Sequence, residues 1–245
     1  MSDQALRLCG WEAVALPAPR PMQEPDSPAT FETAMAHRYS LMSDILHFSQ
    51  FSRWRDARVL ELGCGAGMDA VSFARAGAEY TGLDISRAAL AKARHAFKWT
   101  GVNGGLVHTD AARLMAEVRR ASFDLVYCFD ALAGMADPEA VIREVRGAIR
   151  PDGEFRLMLP AKESWQDAVG EVPNGYSAVE ARALLRANDF AAVSIQQDHI
   201  FRYDLGAFAE GKYVLLPWFA AMEPAMFRRL EQRFGSHLLI IARPS

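Results

Sequence analysis

Hydrophobic residues along this chain alternate between short continuous apolar runs and longer stretches with helical spacing. Arg58 to Leu62 reads as a first strand, and Met68 to Ala76 as a helix ended by Gly77. Glu79 to Leu83 is a second strand. Ser86 then caps a helix that continues to Thr100 and stops at Gly101. A third strand, Gly105 to Thr109, ends at Asp110, and a short helix follows around Ala112 to Arg119. Asp124 to Phe129 is a continuous apolar run, the pattern of a strand buried on both faces. Asp137-Pro138 opens a helix whose Val141, Ile142, Val145 and Ile149 share one face. Pro151-Asp152-Gly153 turns it into a fifth strand, Glu154 to Leu159. Ser177 caps a helix to Asn188, Ala192 to Ile200 forms a sixth strand, and His237 to Ala242 a last one. Such alternation predicts an α/β fold, a Rossmann-like, doubly wound parallel sheet.

The ends depart from this rhythm. Residues 1–30 hold Pro17, Pro19, Pro21, Pro25 and Pro28, which favour an extended arm. Leu6, Leu8 and Trp11 leave room for that arm to dock. From Phe31 a helical pattern begins with Met35, Tyr39, Met42, Ile45 and Leu46, and Phe48 and Phe51 close it. The expected organisation is a proline-rich arm over 1–30 and an α/β domain over 31–245. Substrate-side insertions fall near 161–176 and 202–235. Tyr213 to Met222 is unusually apolar for a late insertion. It either roofs an apolar pocket, forms a dimer interface, or packs on the sheet edge.

The chemistry concentrates at Gly63-Cys64-Gly65-Ala66-Gly67, directly after the first strand, with Asp84 ending the second. Glycines at 63 and 65 allow a sharp turn and remove Cβ atoms that would block a ligand. Asp84 can accept two hydrogen bonds from a ribose diol. A dinucleotide fingerprint would need its third glycine where Met68 stands, and no Gly-Lys-Ser/Thr follows, which excludes a P-loop. No lysine or arginine lies between Leu60 and Phe73. The loop therefore offers a phosphate no side-chain cation.

Glu61 followed by G-x-G-x-G resembles the first motif of class I S-adenosylmethionine (SAM)-dependent methyltransferases. Asp110-Ala111 matches the position where, in that family, an acid meets the adenine amino group. Ser122-Phe123-Asp124-Leu125-Val126-Tyr127 is similar to the strand whose carboxyl end lines the methyl-donor pocket. Arg150-Pro151-Asp152-Gly153-Glu154 resembles the turn that follows. The resemblance, spanning about residues 35–160, implies SAM as cofactor and a seventh strand inserted antiparallel beside the fifth. It implies cofactor contacts from Glu61, Gly63, Cys64, Gly65, Gly67, Asp84, Ile85, Asp110, Ala111 and Phe129. It also implies that the segment before the core covers the pocket; the residues alone equally allow a helix packed on the sheet edge. Two features of the family are missing. The His-His pair that many small-molecule members carry after the fourth strand is replaced by Ala133 and Gly134. No Asn-Pro-Pro-Tyr or Asp-Pro-Pro-Tyr follows that strand, which argues against nucleobase, Gln or Asn methylation.

Composition narrows the partners. With 27 basic against 30 acidic residues in 245 there is no basic footprint for nucleic acid. No run of about 18 apolar residues is present to cross a membrane, and Met1 to Gly10 lack a signal-peptide pattern, so a cytoplasmic protein is expected. Cys9, Cys64 and Cys128 are scattered; Cys64 and Cys128 read as reduced packing residues. No C-x-x-C or His/Cys cluster in the sequence suggests a metal.

The acceptor half is less legible. Tyr176 and Tyr39 are the leading catalytic candidates, with His37, Tyr203 and His199 behind them. An aromatic ring at 176 could hold a sulfonium by a cation–π contact. His95, His108 and His237 read as structural. The first functional expectation is an O- or N-methyltransferase acting on a small molecule of secondary metabolism. Two alternatives stay open. One is a SAM-using enzyme that cyclises the aminobutyryl chain and releases methylthioadenosine; the other is a non-catalytic SAM-binding subunit.

Overall fold

The computed structural model describes residues 25–164, 174–204, 207 and 212–245. The proline-rich arm up to residue 24 and parts of both insertions (165–173, 205–206 and 208–211) lie outside the described residues. Seven strands form one sheet in the order β3-β2-β1-β4-β5-β7-β6. They are β1 Arg58–Leu62, β2 Glu79–Asp84, β3 Gly105–His108, β4 Phe123–Cys128, β5 Ile149–Pro160, β6 Phe190–Asp198 and β7 His237–Pro244. Strands β1 to β5 pair in parallel, whereas β7 runs antiparallel between β5 and β6.

Eight α-helices are described: α1 Pro28–Leu41, α2 Asp44–Ser49, α3 Met68–Arg75, α4 Arg87–Thr100, α5 Pro138–Ala148, α6 Ala178–Arg186, α7 Pro217–Ala220 and α8 Pro224–Phe234. They divide the core into two apolar layers. Leu60, Val126, Leu157 and Ile240 face α5 and α6. Val59, Leu125, Tyr127 and Met158 face α1 to α4. Among the described residues no helix is long and apolar enough to cross a membrane.

Local chemistry explains where the elements begin. Ser86 accepts from Ala89 N, and Asp137 accepts from Ala140 N ahead of Pro138. Ser177 and Glu180 form a reciprocal capping box.

The sixth strand is Phe190–Asp198, not Ala192 to Ile200, and the helix expected at Ala112 to Arg119 is a 3-10 turn, Ala111–Ala116. Three further differences have local causes. Helix α1 starts at Pro28, not Phe31, because Ser27 and Thr30 cap it reciprocally and Pro28 supplies the first helical φ. The expected single N-terminal helix is two, broken around Met42. The expected turn at Pro151 to Gly153 is a register shift inside β5, since Ile149 already pairs with Phe123.

The N-terminal helices are pinned by a buried arginine. Arg156, 1 % exposed, donates from Nε to Glu154 Oε1 at 2.6 Å and from Nη2 to Gln50 Oε1 at 2.9 Å. Its Nη1 donates to the Phe48 carbonyl. Arg53 adds a two-pronged contact to Glu154 at 3.2 and 3.1 Å. The end of α2 and the 3-10 turn Phe51–Trp54 are thereby fastened to the middle of the sheet.

Candidate active site

The loop after β1 leaves the sheet between β1 and β4, the switch point where open α/β sheets bind ligands. Gly63 and Cys64 both donate their N–H to Leu83 O, at 2.8 and 3.0 Å. Gly63 has φ +70°, and a Cβ there would stand 2.6 Å from Ala131 Cβ, so the loop is pressed against the turn after β4. At Gly65, φ is +54°, yet a Cβ would meet nothing within 4 Å. Its side of the loop opens onto empty space, as a ligand-facing glycine requires. Gly65 N donates to Asp84 Oδ2 at 2.9 Å, and Ser86 N to Asp84 Oδ1 at 2.8 Å. Asp84 thus sets the shape of the loop and keeps lone pairs for outside donors.

The next loops continue along the same edge. Ile85 is 70 % exposed, an uncovered apolar surface beside Asp84. Asp110 accepts from Ala112 N at 3.0 Å and caps the 3-10 turn Ala111–Ala116, with Ala111 buried. Phe129, buried, follows the last residue of β4.

Beneath the loop lies a buried acidic network that sequence reasoning missed in part. Tyr80 OH donates to Glu61 at 2.5 Å. Burial, reinforced by Asp69, pushes the Glu61 carboxyl well above its ordinary pKa. Glu61 is a buried support under the loop, held by Tyr80. Cys64 is buried as well, its Sγ close to Gly82. Asp69, in the first turn of α3, accepts from Tyr39 OH at 2.8 Å and Tyr127 OH at 3.2 Å, and pairs with Arg38. Tyr39 OH also reaches Ser72 Oγ at 2.8 Å. Burial and the Asp69 charge raise the Tyr39 pKa. Its hydroxyl is a tether that locks α1 onto α3.

A second polar group lies further along the edge. His237, first residue of β7, pairs with Pro160 at the end of β5 and Asp198 at the end of β6. Its Nδ1 is 2.8 Å from Asp44 Oδ2. His199 stacks on His237 with ring centres 4.4 Å apart and planes 10° from parallel, its Nδ1 3.8 Å from Asp44 Oδ1. Phe129 meets His237 edge-on at 5.7 Å. Burial opposes the Asp44 charge, but the hydrogen bond from His237 and both imidazoles hold its pKa below the usual value. Burial, with His237 adding to it, pushes His199 down to about 4. Asp44 and His199 open onto a cavity of about 550 Å³, also lined by Arg202, Leu215, Phe219 and Glu231. The reading of His237 as purely structural missed this grouping. Asp44 and His237 are 193 positions apart, and no sequence signal links them.

The other candidates are dispersed. Tyr176 packs on the apolar layer of α5 and α6, whereas Phe129 belongs to the opposite layer. The Tyr176 backbone bridges Ala161. His37 meets Tyr213 edge-on at 5.0 Å, and Tyr213 meets Tyr203 at 5.5 Å. Ala133 and Gly134 form a 3-10 turn after β4. Within the apolar segment 213–222, Leu215, Phe219 and Met222 line the cavity.

A seven-stranded sheet with β7 reversed, and a glycine loop tied to an acid at the end of β2, define the class I SAM-dependent methyltransferase fold. The methyltransferase domain family model matches residues 59–153 of this chain. The chain is 30 % identical over 152 residues to the ubiquinone biosynthesis O-methyltransferase of Idiomarina loihiensis, covering 56 % of this chain and 61 % of that protein. It is 37 % identical over 117 residues to the enzyme of that name from Yersinia enterocolitica, covering 46 % and 48 % respectively. The chain thus spans about half to three-fifths of the curated relatives' length. A SAM-dependent methyltransferase from Mesorhizobium loti superposes with a TM-score of 0.56 at 21 % identity, over 78 % of this chain and 92 % of that one.

Proposed function

We propose that this chain binds SAM over the 63–67 loop and transfers its methyl group to a small molecule. The acceptor enters from the cavity beside Asp44 and His199. The observation that carries this reading is Gly65: a positive-φ glycine open on its outer side, its N–H held by Asp84. In this reading Asp84 takes the ribose hydroxyls, the exposed face of Ile85 meets the adenine, and Phe129 flanks the sulfonium. Transfer from a sulfonium is an in-line displacement on an activated donor. Alignment of the two reactants can supply as much as about 7–11 kcal/mol of the barrier. The relatives named O-methyltransferases favour oxygen as the acceptor atom, and a cavity with both Arg202 and apolar walls suits an amphipathic molecule.

Isothermal titration with SAM and S-adenosylhomocysteine tests the cofactor. Chromatography of the nucleoside product tests the reaction: S-adenosylhomocysteine marks transfer, and methylthioadenosine marks attack within SAM itself. Absence of binding by either nucleoside overturns the reading.

A further inference from the structure

The Asp44–His237 pair reaches the cavity through Asp44 and meets Phe129, which precedes the turn packed on the donor loop, through His237. On one side, Gly63 presses on the turn that follows Phe129, and Phe129 touches His237. On the other, Asp44 and His199 open onto the cavity. His237 has its Nδ1 committed to Asp44, while its Nε2 has no hydrogen-bond partner among the described residues. Asp44 is 4 % exposed on its side chain, and its Oδ1 has no hydrogen-bond partner among the described residues. A buried carboxylate oxygen left unpaired costs stability unless function or a ligand uses it. A carboxylate bonded to one imidazole nitrogen orients the ring and stabilises the imidazolium that forms when the other nitrogen takes a proton.

We infer that His237, oriented by Asp44, is the general base of the reaction, and that the acceptor is a neutral hydroxyl such as a phenol. The inference rests on the SAM reading above. As the acceptor oxygen forms its bond to the methyl carbon, the carbon–sulfur bond breaks and its electron pair stays on sulfur, giving neutral S-adenosylhomocysteine. The hydroxyl proton passes to His237 Nε2, and the resulting imidazolium is paired with the Asp44 carboxylate. His199, stacked alongside and held neutral, is a positioning residue at the cavity wall.

The test uses His237→Asn, which retains an amide N–H for Asp44 and removes the base. Catechols of graded acidity serve as probes, from 3,4-dihydroxybenzoate, whose hydroxyls are protonated at neutral pH, to 4-nitrocatechol, which ionises readily. SAM affinity is measured on the same preparations. The expected result is unchanged SAM affinity, with turnover of the protonated catechol lowered by about 10²-fold or more. The deficit shrinks towards unity for the catechol that arrives ionised, because no proton then needs removal. An equal deficit for both catechols overturns the inference, as does a variant with wild-type turnover. So does wild-type turnover abolished by a chelator, which would make the cluster a metal site. SAM binding without methylation of any hydroxyl overturns it while leaving the cofactor reading intact; absence of SAM binding removes both.

Discussion

Asp44, at the start of the second helix, and His237, at the start of the last strand, share a 2.8 Å hydrogen bond across 193 positions of sequence. The contact exists because Arg156 and Glu154 fasten the N-terminal segment to the sheet. It joins the helices before the core to the strand-end edge of the sheet.

Asp84→Ala is expected to weaken SAM binding by about 1–3 kcal/mol, because ribose hydroxyls lose a charged acceptor and Gly65 N loses its partner. Gly65→Val is expected to do more, since a β-branched residue is strained at φ +54° and fills the open side of the loop. Titration calorimetry on the folded variants reads both. Parental affinity in both would place the cofactor elsewhere.

Arg156→Met is expected to cost roughly 3–5 kcal/mol of stability in urea unfolding, because it leaves Glu154 and the Phe48 carbonyl short of a buried donor. Replacing Glu154 by Met as well is expected to recover part of that loss, since the buried carboxylate, then held by Arg53 and Arg243 alone, is gone. A single variant as stable as the parent contradicts the anchoring role.

The two tyrosines should behave unlike catalytic groups. Tyr39→Phe removes hydrogen bonds to Asp69 and Ser72 and is expected to cost about 1–2 kcal/mol of stability, with turnover following the folded fraction. Tyr176→Phe keeps the packed ring and should change SAM affinity and turnover by less than about twofold, well below the roughly 10²-fold loss of a proton-transfer group. A loss of that size in Tyr176→Phe would return its hydroxyl to the reaction.

Acid should loosen the fold through His199. The ring faces Asp44, His237 and Arg202, with Asp198 and Glu231 on the surrounding cavity wall. Its folded pKa of about 4 lies below the ordinary 6.5, so between these values the unfolded chain binds more protons. Stability from this group is fully present above pH 6.5 and is lost as pH falls towards 4, by roughly 3 kcal/mol at most. Glu231, raised to about 7 by burial and Asp198, acts with the opposite sign over part of that window. The difference between wild-type and His199→Gln unfolding curves at several pH values isolates the histidine. Parallel curves would contradict its being held neutral.

The sequence alone determined the α/β alternation, the glycine loop and Asp84, because each depends on neighbours within a few residues; the reversed last strand was implied by the family resemblance that the ordered motifs carry. Gly65 and Asp84 could be paired from the text because a single helix-and-strand unit separates them. The tertiary structure decided the rest. Glu61 has the right spacing for a ligand contact, yet burial beneath the loop and Tyr80 make it a support. Tyr39 and Tyr176 carry suitable chemistry, but their positions are set by Asp69 in one case and the α5–α6 layer in the other. Asp44, His199 and His237 lie on a helix, a loop and a strand with no shared periodicity. Their meeting depends on β7 inserting between β5 and β6 and on buried Arg156 holding the end of α2. Local patterns record backbone preference; the grouping of distant polar side chains is decided by packing, which no short window of sequence contains.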